Sequence, residues 1–153
     1  MIELKPTTTS DQDLEIYTML EKSAIDNYKY SGITEKEEAR EEIERTHTFF
    51  ILNENNIIGN ISYEIKEPGH VYLSGFIILP QYQGKGIGKE AMRQIMEMDK
   101  VKSAKLVDLV THPHNSNAIK LYLSFGFQIV GWADNFFGDG EPRIIMQKTS
   151  MTT

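Results

Sequence analysis

Cysteine is absent from this chain of 153 residues, and its absence excludes several kinds of chemistry. No disulfide framework, thiolate metal site or acyl-cysteine intermediate is possible without it. His112 and His114 flank Pro113 in a spacing that metal sites use, but no other ligand-rich segment accompanies them. We therefore predict no metal site, and any acyl transfer would need a route without cysteine.

Long apolar runs are also absent. Residues 1–5 do not resemble a signal peptide, and no run approaches the roughly 18 apolar residues of a membrane span. We expect a protein that has no membrane partner and resides in the cytoplasm.

Positive charge is scarce, since 16 Lys and Arg residues stand against 22 Asp and Glu residues, a formal net charge of -6. Nucleic-acid binding needs clustered Lys and Arg side chains that contact phosphates, so we predict no nucleic-acid partner. The charge favours cationic small molecules, although a modest acidic balance is mostly a property of solubility. Residues 35–45 form a strongly charged run, which we interpret as a solvated helix face or, alternatively, as the border of a site for a cationic ligand.

The length and the hydrophobic pattern predict one domain over residues 1–153, because two cores would each be small at this size. Residues 48–65 read as a hairpin, and residues 70–79 as a third strand. After Pro80 helices and strands alternate, beginning with a helix over residues 86–98. The element order is β-α-α-β-β-β-α-β-α-β-β, a mixed α/β fold around a mostly antiparallel sheet of about seven strands.

A glycine-rich segment, Gln83-Gly84-Lys85-Gly86-Ile87-Gly88, lies between the third strand and the next helix. Glycines let the backbone turn sharply with its N–H groups outward, and the following helix N-terminus adds a partial positive charge. This context predicts a site for an anionic phosphate. The segment lacks the Gly-Lys-Ser/Thr ending of a Walker A loop and the spacing of the dinucleotide fingerprint.

The same segment resembles the Gln/Arg-x-x-Gly-x-Gly/Ala pyrophosphate loop of the GNAT superfamily of N-acetyltransferases. A second stretch, Asn115-Ser116-Asn117-Ala118-Ile119-Lys120-Leu121-Tyr122 followed by Gly126-Phe127, is similar to that family's other cofactor segment. The specific likeness covers residues 76–127. It implies a GNAT-type fold whose sheet is splayed in the middle to hold coenzyme A.

The resemblance also implies roles for individual residues, with acetyl-CoA as the co-substrate. Backbone groups of the third strand would pair with the pantetheine arm, the loop N–H groups would bind the pyrophosphate, and Gln83 would order the start of the loop. Asn115 would contact the arm, and Tyr122 would be the catalytic residue that protonates the departing thiolate. The implied cofactor-binding residues are Ile77, Ile78, Leu79, Gln83, Gly84, Lys85, Gly86, Ile87, Gly88, Lys89 and Asn115.

The general base is not identified by the sequence. The strand position that usually carries it in the family corresponds to Tyr72 or Ser74, and neither is a carboxylate. The candidates left open are Glu64, Asp108, His112, and waters ordered by Tyr72 and Ser74.

The acceptor is open as well: a polyamine, an aminoglycoside, an amino acid, a protein N-terminus or a lysine side chain. Three aromatic residues near Asp134 and Asp139 suit a cation pocket, a core contact or a dimer contact: Trp132, Phe136 and Phe137. Lys85, Lys89 and Arg93 form a local basic cluster that suits phosphates or, for Arg93, simply a solvated face.

Two functions from different classes follow. The first is an enzyme that transfers the acetyl group of acetyl-CoA directly to a primary amine in a ternary complex. The alternative is a non-catalytic sensor or interaction module that binds coenzyme A, and Tyr122 favours the enzyme. Pairing through edge strands makes a homodimer the expected assembly.

Overall fold

A computed structural model describes residues 1–25 and 29–150 of the chain, and these form seven strands and five helices. The strands are β1 (Ile2–Pro6), β2 (His47–Asn53), β3 (Asn56–Glu67), β4 (His70–Ile78), β5 (Leu106–Thr111), β6 (Gln128–Ala133) and β7 (Arg143–Thr149). The helices are α1 (Asp11–Ile25), α2 (Lys36–Arg45), α3 (Ile87–Met96), α4 (Asp99–Lys102) and α5 (Ser116–Ser124). A 3-10 turn over Pro80–Tyr82 follows β4.

All seven strands belong to one sheet in the order β1-β2-β3-β4-β5-β7-β6. The pairing is antiparallel everywhere except between β4 and β5, which run parallel. The predicted mixed α/β fold with a mostly antiparallel sheet is confirmed. Its parallel pair is the place where the local meander ends and the α3 crossover begins.

Strands β4 and β5 pair over only three positions, from His70 opposite Leu106 to Tyr72 opposite Asp108. Beyond them β4 continues to Ile78 and β5 to Thr111, so the two strands separate. A register shift between β3 and β4 leaves Ser74 as an extra residue at the start of this gap. Because a β-bulge bends the strand that carries it, Ser74 helps to turn β4 away from β5. The gap lies where the family resemblance placed the splay.

The helices cover both faces of the sheet. Phe50 of β2 packs with Leu14 and Leu20 of α1 and with the buried side of α2. Its neighbour Ile51 belongs to the other core, together with Met92 and Ile95 of α3. Successive strand side chains point to opposite faces, so the alternation in β2 separates the α1–α2 layer from the layer that contains α3.

The helix predicted over about residues 86–98 is present as α3, which stops two residues earlier, at Met96, before the short helix α4. Met98 has an extended backbone with φ -66° and ψ 138°, which breaks the helical path. The change of direction lets Val101 of α4 reach the core, where it is buried. No glycine or proline marks this break in the sequence.

Within residues 1–25 and 29–150, no helix combines the length and the hydropathy that crossing a membrane would require.

Candidate functional site

A cavity of about 590 Å³ lies between the α1–α2 layer and the gap in the sheet. Its lining includes residues of α1, α2, β4, β5 and α5, and it reaches the loop between β6 and β7. Four carboxylates line it, and they are Glu21, Glu42, Glu64 and Asp108. The aromatic lining residues include Tyr17, Tyr30, Tyr72, Tyr122, Phe136 and Phe137.

The glycine-rich loop has the backbone shape that a phosphate site needs. Gly84 and Gly86 have φ values of 77° and 79°, in the left-handed region that side chains disfavour. A Cβ atom built on either residue would meet no other atom within 4 Å, so the space over the loop is open. Gly86 is the N-cap of α3 and offers no side chain to the first helical N–H groups. The loop therefore fits an anionic group.

Gln83 fastens the start of this loop to the end of β4. Its side-chain Nε2 donates a hydrogen bond of 2.8 Å to the Ile78 carbonyl oxygen. The Leu79 N–H in turn donates to the Ile58 carbonyl oxygen of β3, also at 2.8 Å. The Ile78 carbonyl oxygen and the Leu79 N–H are thus already hydrogen-bonded within the protein. Since neighbouring strand residues direct their N–H groups to opposite sides, the Ile78 N–H is the one that faces the gap.

The second predicted cofactor segment also reaches the cavity. Tyr122 of α5 is buried, and its ring meets the ring of Phe127 edge to face at 6.1 Å between centroids. Burial raises the pKa of the Tyr122 hydroxyl, and the nearby Tyr72 adds to the shift. Asn115 lines the same cavity from the start of α5, with its Nδ2 atom 3.4 Å from Thr111 Oγ1. The fold therefore brings both residues to the edge of the gap.

The three candidate bases differ in position. Glu64 lines the cavity but pairs with Arg45 at 2.7 Å and with Lys66 at 3.5 Å. Asp108 lines it too, and its Oδ1 lies 2.9 Å from His70 Nε2. Both carboxylates on the cavity wall are therefore engaged by partner side chains.

His112 is not among the residues that line the cavity. It is buried, its Nδ1 accepts the His114 N–H at 3.0 Å, and its Nε2 lies 2.7 Å from Glu141 Oε1. In the neutral ring this arrangement places the proton on Nε2. Both ring nitrogens are therefore engaged, Nδ1 by the segment between β5 and α5 and Nε2 by the β6–β7 loop.

The basic cluster is divided between two environments. Arg93 is paired with Glu90 through two hydrogen bonds of 2.9 and 2.7 Å. Lys85 lies over the ring of Tyr82 at 5.7 Å from its centroid, at the glycine-rich loop itself. The loop lysine is thus better placed for a phosphate than Arg93.

The predicted aromatic residues lie at the end of β6 and in the loop that follows it. Phe136 and Phe137 line the cavity and contact each other edge to face. Trp132 is 57% exposed and donates to Asp134, so it lies outside the cavity. Arg143, which the sequence analysis did not single out, is buried, binds Asp139 at 2.9 Å and lies over the Phe137 ring.

Two carboxylates of the α1–α2 layer line the cavity, and the sequence singled out neither of them by residue; for the run over residues 35–45, which contains Glu42, it left open a solvated face or the border of a site for a cationic ligand. Glu42 is only 8% exposed and lines the cavity, so at this residue the run does not behave as a solvated face. Glu21 is 2% exposed. A signal was present for Glu21, because it stands four residues after Tyr17 and seven after Leu14, on the apolar stripe of α1. A carboxylate on the buried side of a helix is uncommon unless it is paired or hydrogen-bonded.

Within the part of the chain that the structure describes, no three His, Asp or Glu side chains come together in a way that could hold a metal ion.

Known proteins share this architecture. The spermine/spermidine N(1)-acetyltransferase of Bacillus subtilis (strain 168) is 36% identical over 72 residues, which are 46% of this chain and 47% of that protein. The chain thus spans about half the length of this curated relative.

Two solved structures superpose over nearly the whole chain. The ribosomal-protein-S18-alanine N-acetyltransferase from Escherichia coli has a TM-score of 0.79 at 20% identity, covering 97% of this chain and 94% of that one. The PaiA N-acetyltransferase from Thermoplasma acidophilum, solved in complex with coenzyme A, has a TM-score of 0.77 at 23% identity, covering 97% and 99%. Likeness at these identities shows the fold alone.

The sequence pattern that defines the Acetyltransferase (GNAT) family matches residues 14–127. This stretch runs from α1 through the glycine-rich loop to the end of the second cofactor segment, so it includes the residues that frame the gap. The chain belongs to the GNAT family of acetyltransferases.

Proposed function

We propose that this protein is an acetyl-CoA-dependent N-acetyltransferase that transfers the acetyl group directly to a primary amine in a ternary complex. The observation that carries the proposal is the gap between β4 and β5, which has the phosphate loop at one end and Tyr122 at its edge. The cavity opens on the same gap from the α1–α2 side. One sheet thus offers a place for each of two substrates.

The cofactor side of the proposal assigns roles to residues of the chain. Acetyl-CoA supplies an acetyl group that is activated as a thioester. The N–H groups of Gly84, Lys85, Gly86, Ile87, Gly88 and Lys89 bind its pyrophosphate, and Gln83 holds the loop against Ile78. The Ile78 N–H and the Asn115 side chain face the gap and orient the pantetheine arm, whereas Leu79 and Ile77 contribute by keeping β4 paired with β3.

The chemical step forms a bond between the amine nitrogen and the acetyl carbon and breaks the bond between that carbon and sulfur. Tyr122 gives a proton to the departing sulfur. Its hydroxyl is protonated at neutral pH, as a tyrosine with an ordinary pKa of about 10 already is, and this is the state that a proton donor needs.

The acceptor side suits an amine that carries a positive charge. Four carboxylates and several aromatic rings line the cavity, and both kinds of group favour cations. The relatives named above act on a polyamine and on a protein alanine, so a small-molecule amine and a protein amine are both within the proposal.

The test is a panel of amines incubated with the protein and acetyl-CoA, with free thiol measured as coenzyme A is released and the acetylated amine identified by mass spectrometry. Spermidine, an alanine-terminated peptide, an aminoglycoside and lysine represent the open classes. Acetylation of any of them supports the enzyme. Coenzyme A binding without acetylation of any amine would favour the non-catalytic sensor instead.

Direct transfer has its own measurement. The protein is incubated with acetyl-CoA alone and its intact mass is recorded. An unchanged mass is expected for a ternary complex, whereas a protein that carries an acetyl group and passes it to the amine would contradict direct transfer. The single domain over residues 1–153, the homodimer and the cytoplasmic location remain predictions.

A further inference from the structure

Glu21 places a carboxylate in the wall of the cavity with almost no exposure to solvent. Its Oε1 accepts the Ile33 N–H at 3.1 Å, and its Oε2 accepts the Tyr30 hydroxyl at 3.2 Å and the Asn60 Nδ2 at 3.3 Å. Among residues 1–25 and 29–150, none of its hydrogen-bond donors carries a charge. The contacts hold the carboxylate in place but do not neutralise it.

The other carboxylates of the cavity are balanced differently. Glu42 and Glu64 both pair with Arg45, and Asp108 pairs with His70. Burial also raises the pKa of Glu42, but its carboxylate is occupied by Arg45. Glu21 is held only by neutral donors among the described residues, and burial among neutral donors raises the proton affinity of a carboxylate. Glu21 is therefore the cavity carboxylate best suited to take up a proton.

Glu21 also lies beside the part of β4 that borders the gap. Asn60, which donates to Glu21, is directly opposite Ile77 in the β3–β4 ladder. A Cβ atom built on Gly75 would lie 3.7 Å from the Tyr30 hydroxyl and 3.9 Å from Asn60 Oδ1. Two of the groups that bind Glu21 thus lie close to Gly75, two residues before the first proposed pantetheine-binding residue, Ile77.

We propose that Glu21 is the general base of the reaction, accepting the proton that the acceptor ammonium must lose before its nitrogen can attack the thioester. This inference rests on the proposed function. An N–H bond of the ammonium breaks, its proton passes to a Glu21 carboxylate oxygen, and the freed electron pair forms the bond to the acetyl carbon. A second proton leaves nitrogen as the amide forms. Tyr122 gives one proton to sulfur and must regain one, so the second proton from nitrogen restores the balance. One proton is released overall.

The need for a base follows from the acceptor. An alkyl amine with a pKa of about 10.4 is almost entirely protonated at neutral pH and cannot act as a nucleophile in that form. General acid-base catalysis is most effective when the catalytic pKa lies near the working pH. Burial raises the pKa of Glu21 to about 7, against the opposing effects of Asn60, the Ile33 N–H and Tyr30.

The charged and titratable surroundings of Glu21 come from three segments. Tyr17 is on its own helix, Tyr30 follows that helix, and Glu42 and Arg45 belong to α2. Lys29 lines the same cavity. The strand β3 contributes neutral Asn60. Glu42 raises the pKa of Glu21 further, so the α2 carboxylate supports the same role.

The test is Glu21→Gln, which keeps the shape of the side chain but cannot take up a proton. With an amine that the wild type acetylates, kcat is measured at saturating acetyl-CoA and saturating amine from pH 5.5 to 9. The wild type should show an inflection near pH 7. The variant should lose that inflection and fall in kcat at neutral pH by about 100-fold.

The matched control is Glu15→Gln, the same substitution on the same helix at an exposed residue that pairs with Lys36; it should keep the wild-type rate and pH profile. Stabilisation by coenzyme A verifies the fold and the cofactor site of Glu21→Gln.

Three results would overturn the assignment. An unchanged kcat of Glu21→Gln would show that Glu21 takes no part in the reaction. A raised acceptor KM with kcat and the inflection retained would make it an anchor for the cation. A wild-type profile without an inflection near pH 7 would exclude it even if Glu21→Gln failed to fold. Failure of the proposed function is distinct, since the wild type would then acetylate no amine at all.

Discussion

Gln83 Nε2 and the Ile78 carbonyl oxygen are joined by a hydrogen bond of 2.8 Å that closes the turn between β4 and the glycine-rich loop. Gln83→Ala removes this bond and frees the start of the loop. A hydrogen bond contributes about 1 kcal/mol, so we expect the affinity for coenzyme A, measured by calorimetry, to fall about fivefold.

Gln94→Ala is the matched control for this prediction. Gln94 Nε2 also donates to a backbone carbonyl, that of Ile2, at 2.9 Å, but it lies on α3 next to β1. Its loss should cost similar stability without changing the affinity for coenzyme A. Equal losses of affinity in both variants would show that Gln83 has no special place in the cofactor site.

Gly86→Val should abolish the thermal stabilisation that coenzyme A produces. The substituted side chain would occupy the open space over the loop, and a β-branched residue opposes a φ of 79° at a cost of about 1–2 kcal/mol. Gly138→Val is the control that separates backbone strain from blockage of the phosphate site. Gly138 has a φ of 78° and equally open surroundings, but it lies in the β6–β7 loop. Differential scanning fluorimetry compares the two, and normal stabilisation of Gly86→Val would show that the phosphate lies elsewhere.

Tyr122→Phe should slow acetyl transfer by about 100-fold or more at saturating acetyl-CoA, because it removes the proton donor and keeps the ring. The contact with Phe127 remains, so stability and the affinity for coenzyme A should change little. Tyr63→Phe is the control, since Tyr63 is also buried and its ring stacks on His47. If the rate of Tyr122→Phe equals that of the wild type, solvent protonates the sulfur.

Glu21 should also make the stability of the protein depend on pH. Its pKa is raised from 4.5 to about 7 in the folded protein, so the folded state binds more protons than the unfolded state between these values. The stabilising contribution is complete below about pH 4.5 and is lost as the pH rises through about 7, by at most about 3 kcal/mol.

Urea denaturation at pH 5 and pH 8 measures this effect. The loss of unfolding free energy between the two pH values should be smaller in Glu21→Gln than in the wild type. Glu42, whose pKa is also raised, remains in both proteins, so the difference between them comes from Glu21 and its interaction with Glu42. An identical loss in both would place the buried proton on another group.

The shape of the glycine-rich loop could be predicted from sequence because its structure is local. Gly84 and Gly86 adopt positive φ values that few other residues tolerate, and the helix that follows them begins within the same segment. Tyr122 and Asn115 occur in one short stretch. The spacing of Asn115 and Tyr122 in sequence therefore already predicts that both lie near the gap.

The acceptor side depends on contacts between distant segments, which explains what was missed. Glu21 is buried by Ile33 and by Asn60, which is 39 residues away in sequence. Glu42 belongs to a helix whose composition is that of a solvated surface, and only packing against the sheet buries one side of it. The end of α3 at Met96 is likewise unmarked by glycine or proline, and the helix after it places Val101 in the core.

The short ladder between β4 and β5 has a mechanical consequence. Three residue pairs join the β1–β4 half of the sheet to the β5–β7 half, so this seam should open more readily than the ladders on either side. A molecule that is hydrogen-bonded to the Ile78 N–H and lies against β5 would connect the two strands across the seam and stabilise it. Coenzyme A should therefore slow amide hydrogen exchange in Leu109 and Val110 of β5 more than in the interior of β2, and it should make the two halves of the sheet unfold as one unit.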